Sequence, residues 1–216
     1  MYKYSSKVVP VSIELLQDSM IDVEAFIRSR LATRLARITA RHYTVGTGTG
    51  QPNGVSTASS VGKVGLTGQT TTVTYDDLVD LEHSVDIAYR GRPDVAFMMN
   101  DLSLRNIRKI KDGSGLPIFG RDPGGDGSPI AVDMLFGKYR VEANNYVAAM
   151  AANAKSILFG AMKEYVIRDV MELLIRRFDD SAYGLKGQVG FCAWLRTGGN
   201  LIDNGGAIKA YQNSAT

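Results

Sequence analysis

A glycine-rich run from Gly46 to Gly54 is the first part of this sequence whose residue types could do chemistry. Glycine loops bind phosphate when free backbone N–H groups at the start of a helix point at the ligand. This run lacks the Gly-Lys-Ser/Thr ending of a nucleotide-binding loop. It also follows a predicted helix, whose C-terminal carbonyl groups repel phosphate. The run therefore predicts a helix stop and a turn instead of a nucleotide site.

The residues that most often bind metals or transfer protons are few and far apart. His42 and His83 lack the spacing of a zinc-binding helix motif. We expect His42 in the last turn of a long helix, where the helix dipole favours positive charge, and His83 at the polar margin of a second helix. Cys192 is the only cysteine and lies in an apolar run, which excludes an intrachain disulfide and indicates a buried, unreactive thiol.

The acidic residues form pairs and loops that have simpler explanations than a metal site. Helix capping explains Asp76-Asp77, and a turn explains Asp179-Asp180. Asp122, Asp126 and Asp133 lie in a glycine-rich segment without the spacing or the closing glutamate of a calcium loop. No serine occupies a nucleophile elbow. We therefore predict no catalytic, cofactor-binding or metal-binding residue, no cofactor, and a protein that is not an enzyme.

Composition limits the class of protein further. The chain has 216 residues, 44% of them apolar and 22% charged, which suits one large or two small domains with a real core. The net charge of +3 predicts only modest affinity for nucleic acid through bulk charge. No run of about eighteen apolar residues predicts a membrane span, and the N-terminus does not resemble a signal peptide. We expect synthesis in a reducing, intracellular compartment.

The element best placed to organise the fold is a single long helix over residues 20–43, preceded by a strand over residues 1–12. Apolar side chains recur along it at spacings of three and four, which predicts one buried face: Met20, Val23, Ile27, Leu31, Leu35 and Ile38. Arginines follow the same spacing on a neighbouring face: Arg30, Arg34, Arg37 and Arg41. This arginine stripe is either a solvated face or a contact with a neighbouring subunit or an acidic partner.

After residue 68 two further helices are predicted first, and mainly strands follow them. Thr74 with Asp77 predicts a capped second helix that ends near Gly91, and a third helix begins at Asn100 or Asp101. Residues 148–154 also favour helix. The predicted strands are residues 94–99, 129–134, 139–143, 156–159, 164–168, 173–178 and 188–196, the last followed by a turn at 197–200. Helices early and strands late indicate an α+β fold.

Several segments, in this order, resemble the major capsid proteins of tailed bacteriophages, which have the Hong Kong phage type of fold. Residues 4–19 resemble the returning strand of that family's extended loop, and residues 22–43 resemble its spine helix. Residues 46–54 are similar to its Gly-x-Gly-x-x-Gln-Pro-x-Gly segment, and residues 158–168 and 190–207 are similar to its late strands. Because Met1 falls inside the extended loop of this pattern, the resemblance implies an N-terminally truncated core.

The resemblance implies an α+β phage capsid fold with two domains. A peripheral domain would comprise residues 1–74 and 181–216, including the extended-loop remnant (1–12) and the spine helix (20–43). An axial domain of mixed α/β structure would comprise residues 75–180. Subunits of this kind form the hexamers and pentamers of an icosahedral shell that encloses double-stranded DNA.

The resemblance also implies partners and a location. The partners would be other copies of the chain, the scaffold, protease and portal proteins of the phage, and packaged DNA bound non-specifically, with no membrane. The protein would be made in the cytoplasm of the bacterial host and reside in the virion. Candidate subunit-interface residues are Lys3, Lys7, Arg30, Arg34, Arg37 and Arg41. Some family members cross-link through a loop lysine, to which neither Lys3 nor Lys7 can be matched.

Two other functions remain open at this point. One is a shell of the same fold that encloses protein cargo, as encapsulins do. The other is a small ligand-binding or enzymatic α+β domain, which would need a deep polar pocket with perturbed titrating groups.

Overall fold

The structure of this chain is a computed structural model. Apart from the side chains of Met171 and Glu172, it describes residues 1–115, 117–119, 134–136, 138–203 and 205–216. In chain order the strands are β1 (Tyr2–Ser5), β2 (Val9–Ser12), β3 (Ser60–Val64), β4 (Val95–Met99), β5 (Met134–Leu135), β6 (Tyr139–Ala143), β7 (Lys155–Ala161), β8 (Tyr165–Phe178), β9 (Gln188–Leu201) and β10 (Ile208–Gln212). The helices are α1 (Ile13–Asp18), α2 (Val23–Val45), α3 (Val55–Ala58), α4 (Tyr75–Ser84), α5 (Ile87–Arg90), α6 (Asp101–Arg108) and α7 (Ser181–Gly184).

These residues form two compact units, each with a sheet and helices. The first comprises residues 1–53 and 167–200, and the second comprises residues 54–166 and 201–216. The predicted α+β class is confirmed. The predicted domain boundaries differ from these units: residues 54–74 and 201–216 belong to the second unit because β3 and β10 pair with each other there. Residues 167–180 belong to the first unit because β8 pairs with β9.

The sheet of the first unit is built around β9. β1 and β2 pair with it in antiparallel register along successive stretches, with Tyr2 opposite Thr197 and Val9 opposite Phe191. The predicted turn at 197–200 is wrong, because β9 continues through it to Leu201, although its pairing with β1 ends at Thr197. β8 is one continuous strand where two shorter ones were predicted.

The long helix α2 packs on one face of this sheet. Ile27, Leu31 and Leu35 are buried against Val189 and Phe191 of β9. The single unbroken helix is therefore confirmed, although it begins at Val23 and ends at Val45. Its start is set by Asp22, whose carboxylate accepts a hydrogen bond from the Ala25 N–H at 2.9 Å.

Of the predictions for the two ends of α2, the one for the start is wrong and the one for the end is confirmed. Met20 was predicted on the buried face but lies before the Asp22 cap and is fully exposed. Gly46 ends the helix as predicted, with its N–H donating to the His42 carbonyl at 2.9 Å. A Cβ at Gly46 would lie 2.1 Å from the Pro52 carbonyl oxygen, so only glycine fits there.

The second unit contains a six-stranded sheet in the order β3-β10-β7-β4-β6-β5. β7 is antiparallel to both β10 and β4, whereas β4 is parallel to β6. Its core is aromatic: the ring centroids of Phe97 and Phe159 lie 4.4 Å apart, and Tyr139 meets Phe159 edge to face. Leu78 and Leu81 of α4 are fully buried in the same core.

The helices of this unit begin where capping residues predict. Thr74 and Asp77 form the predicted reciprocal capping box at the start of α4. The helix expected to reach Gly91 is instead two helices, because the Asp86 carboxylate accepts from the Ala88 N–H at 2.8 Å and begins α5. Asn100 caps α6, as predicted.

The predicted helix at 148–154 is wrong. Instead, this segment runs beside the C-terminal residues, where the Asn153 N–H donates to the Ser214 carbonyl and the Asn213 N–H to the Ala154 carbonyl. Asn153 takes a left-handed conformation with φ of 59°, which a helix does not allow. Pairing with a distant segment has overridden the helix propensity of the alanines. The predicted strand at 129–134 lies outside the described residues except for Met134.

Candidate functional site

All six predicted interface residues lie at the surface of the first unit. Lys3 and Lys7 are exposed on and after β1, and the four arginines of the stripe (Arg30, Arg34, Arg37 and Arg41) are exposed on α2. The Arg30 guanidinium lies 4.9 Å from the centre of the Phe26 ring, which is itself half exposed. None of the six pairs with a carboxylate among the side chains that the structure describes. Their role at a subunit interface stays a prediction.

Neither histidine lies in an arrangement suited to proton transfer. His42 Nδ1 lies 2.7 Å from the Tyr4 hydroxyl, which ties the end of α2 to β1. Burial, and then the nearby Arg41, lower the pKa of His42, so the neutral ring is favoured and the predicted benefit of positive charge is not realised. His83 is exposed in the last turn of α4, with its Nδ1 2.9 Å from an Arg90 nitrogen.

The other perturbed groups are held by structural hydrogen bonds. Burial, followed by a hydrogen bond to Glu82, raises the pKa of Tyr139 to about 12. Burial lowers the pKa of Lys155, whose ammonium donates to the Ser59 carbonyl at 2.6 Å. Such shifts often mark catalytic groups. Here each group has a backbone or side-chain partner that explains its position without any chemistry.

The remaining sequence candidates fall into three groups. Cys192 is buried, as predicted, with its Sγ donating to the Ser6 carbonyl at 3.2 Å. Asp122, Asp126 and Asp133 lie outside the described residues. Within the described ranges, no cluster of three or more histidine, cysteine or acidic side chains could hold a metal ion, and no helix is long and apolar enough to cross a membrane.

A cavity of about 330 Å³ opens beside the first sheet and is lined by residues of β1, β8 and β9. Trp194 and Arg196 flank Leu195, which packs in the same cluster as α2, so their side chains lie on the opposite face of the sheet. The floor of the cavity includes Leu174 of β8 and Trp194 of β9, and Phe178 meets Trp194 edge to face with centroids 5.8 Å apart. Its rim carries three exposed cations: Lys3, Arg176 and Arg196. We call this site the cationic groove.

The cationic groove differs from the deep polar pocket that an enzyme or small-ligand protein would need. Of its residues, the sequence singled out only Lys3. Trp194 and Arg196 are two residues apart on a predicted strand, so the sequence alone places their side chains on one face. The strand register that brings Lys3 opposite Arg196 could not be predicted from the sequence, because it joins residues far apart in the chain.

Comparisons with known proteins give one family match and several structural neighbours. A sequence model described as the phage capsid family matches residues 1–213. The capsid of a native GTA particle, computed with C5 symmetry, is 28% identical over 99% of this chain and 73% of that chain, with a TM-score of 0.85. No curated protein matches significantly.

More distant structures share the fold. A structure from Mycobacterium phage Bobi is 13% identical, with a TM-score of 0.69, over 100% of this chain and 72% of that chain. The holo-SrpI encapsulin complex from Synechococcus elongatus is 15% identical, with a TM-score of 0.67, over 99% of this chain and 74% of that chain. At this level of identity the likeness concerns the fold alone.

Proposed function

This chain belongs to the phage capsid family, and from that membership we propose that it is a major capsid subunit whose copies form the hexamers and pentamers of an icosahedral shell around double-stranded DNA. Membership and fold make it a structural protein of a viral shell that associates with itself. The observation that carries the proposal is the family match over residues 1–213. The peripheral and axial domains expected from the resemblance remain part of this proposal.

The packing of α2 supports a subunit built for lateral contact. One side of this helix is buried on its own sheet, and the four arginines of the stripe are exposed without a described carboxylate partner. Closed rings need head-to-tail contacts between different patches of neighbouring subunits. Each contact can be weak, because avidity accumulates when one subunit touches several neighbours. We therefore keep Lys3, Lys7, Arg30, Arg34, Arg37 and Arg41 as proposed interface residues.

Pentamers are supported by the GTA capsid, which was computed with C5 symmetry and is 28% identical to this chain. Packaged DNA would meet a protein of net charge +3, which suits loose and non-specific contact. Scaffold, protease and portal proteins are further proposed partners, with synthesis in the host cytoplasm and a final place in the virion.

A shell around protein cargo is the second candidate. The similarity to the encapsulin complex, with a TM-score of 0.67, favours it to the extent that the same fold serves both purposes. The greater identity to the GTA capsid favours the viral shell.

Expression of the complete gene tests the proposal. We expect rings or closed shells by electron microscopy, and particles made during infection or induction should protect double-stranded DNA from nuclease. Particles that carry a co-purifying enzyme and no protected DNA would favour the cargo shell. A protein that stays monomeric under all assembly conditions would contradict both.

A further inference from the structure

The cationic groove contains an unfavourable arrangement of charge. Lys3 and Arg196 are directly opposite each other in the antiparallel pair of β1 and β9. They alternate with Tyr4 and Leu195, which pack in the same cluster as α2, so they lie on the other face. Like charges at opposed positions of a sheet destabilise it. Neither residue pairs with a carboxylate among the described side chains, and Arg176 lines the same groove. A bound acidic group would relieve this repulsion.

The floor of the groove shows what else its occupant must carry. Trp194 and Leu174 are only partly buried and line a cavity of about 330 Å³. A nucleic-acid backbone would use the cations and leave this apolar floor uncovered. A peptide segment that combines carboxylates with exposed aliphatic side chains would use both.

The chain itself contains such a segment. Residues 13–22 carry Glu14, Asp18 and Asp22 and no basic residue. Helix α1, which forms most of this segment, has no buried residue. Leu15 is 52% exposed, and Met20 and Ile21 after it are 103% and 69% exposed. We call residues 13–22 the acidic segment.

We propose that the acidic segment of one copy of this chain docks in the cationic groove of a second copy. The segment offers the carboxylates of Glu14 and Asp18, and that of Asp22 which also caps α2, to a groove with three cations. Its aliphatic side chains would cover Trp194 and Leu174. Within one chain no described ion pair joins the two surfaces. Since they are different patches of one molecule, the contact is head-to-tail and can close into a ring. This inference rests on the proposed function, in which copies form rings.

Charge reversal on each side tests the contact. Arg176→Glu with Arg196→Glu, the groove variant, changes the summed charge of the three groove residues from +3 to −1. Glu14→Lys with Asp18→Lys, the segment variant, changes that of the acidic segment from −3 to +1. We expect each variant to lower the apparent association constant at least about tenfold, because juxtaposed like charges oppose binding. Folding should survive in the groove variant, since the new carboxylate at position 196 lies opposite Lys3 and forms a favourable cross-strand pair. Arg105→Glu with Lys109→Glu, an equal change of charge at exposed positions near the end of α6, is the matched control.

Mixing the variants gives the sharper result. In either variant alone, the groove of one copy and the segment of the next carry charge of the same sign. In a mixture, the groove of each variant meets the segment of the other variant, and the two charges are opposite. We expect oligomers in the mixture, and in a chain that carries both sets of changes, by sedimentation velocity. If both variants assemble like the wild type, or if neither the mixture nor the chain with both sets of changes recovers, the proposed contact is wrong.

Trp194 gives a local readout that needs no shell. It is the only tryptophan, so its emission reports the groove directly. A synthetic peptide of residues 13–22 should shift this emission to shorter wavelength in a saturable way, and a scrambled peptide or the groove variant should show no shift. Absence of the shift in the wild type would overturn the inference. Loss of DNA retention in shells of the groove variant, with assembly unchanged, would assign the groove to DNA instead.

The two proposals can fail separately. A wild type that forms no oligomer but binds the peptide contradicts the proposed function and keeps the docking contact. A wild type that assembles normally and does not respond to the peptide or to charge reversal contradicts the contact alone.

Discussion

Replacement of Leu31 by alanine should destabilise the first unit by about 3 kcal/mol. Leu31 is 3% exposed and packs between α2 and β9. Leu→Ala removes about three carbon atoms, each contributing roughly 0.8 kcal/mol of burial, and the cavity left behind adds to the loss, giving about 2–5 kcal/mol in buried sites. Arg34→Ala on the exposed side of the same helix is the matched control, with a change within about 0.5 kcal/mol.

Urea unfolding followed by the fluorescence of Trp194 measures this change. Trp194 lies on β9, so its emission reports the unit that contains Leu31. A chain with two units need not unfold in one step, and a local probe avoids mixing their transitions. With a slope of about 1–3 kcal/mol per M of urea, the midpoint should fall by about 1–3 M.

Two results would refute the reasoning. A midpoint shift in Leu31→Ala no larger than that in Arg34→Ala would mean that α2 does not depend on its packing against β9. A large change in slope without a shift in midpoint would mean that the substitution acts on the unfolded chain or on cooperativity instead of on the core.

Three further predictions concern the surface, the helix stop and the response to pH. Arg34→Glu should leave the yield of folded monomer unchanged and reduce assembly seen by electron microscopy, and unchanged assembly would exclude this residue from the interface. Gly46→Ala should lower the thermal midpoint by several degrees because its Cβ would collide with backbone oxygens, whereas Gly91→Ala, with open space around it, should have little effect. Hydrogen bonds donated to the carboxylate by the backbone N–H of Gly205, and then by the Tyr89 hydroxyl, lower the pKa of Asp203. Because the folded-state pKa lies below the unfolded value of about 3.9, ionised Asp203 stabilises the folded protein above that pH, and this stabilisation is lost as the pH falls through the folded pKa. The thermal midpoint of Asp203→Asn should therefore vary less than that of the wild type between about pH 5 and pH 2. Equal acid sensitivity of the two proteins would contradict the assignment.

Short-range patterns were read correctly from the sequence because their partners lie within one or two helical turns. Thr74 and Asp77 cap α4 across three residues, and Ile27, Leu31 and Leu35 define a buried face through helical spacing alone. The glycine stop after α2 follows the same local logic. The capsid resemblance, which depends on the order of several such segments, is confirmed by the family match.

Pairing between distant segments was decided only by the tertiary structure. β9 runs through a sequence that favours a turn while it pairs with β1 as far as Thr197 and with β8 on its other side. Residues 148–154 avoid a helix because the C-terminal residues pair with them. The same register brings Lys3 opposite Arg196 and so creates the cationic groove. Local spacing cannot encode such a contact, since strand register depends on which residues, nearly the whole chain apart, meet when the core closes.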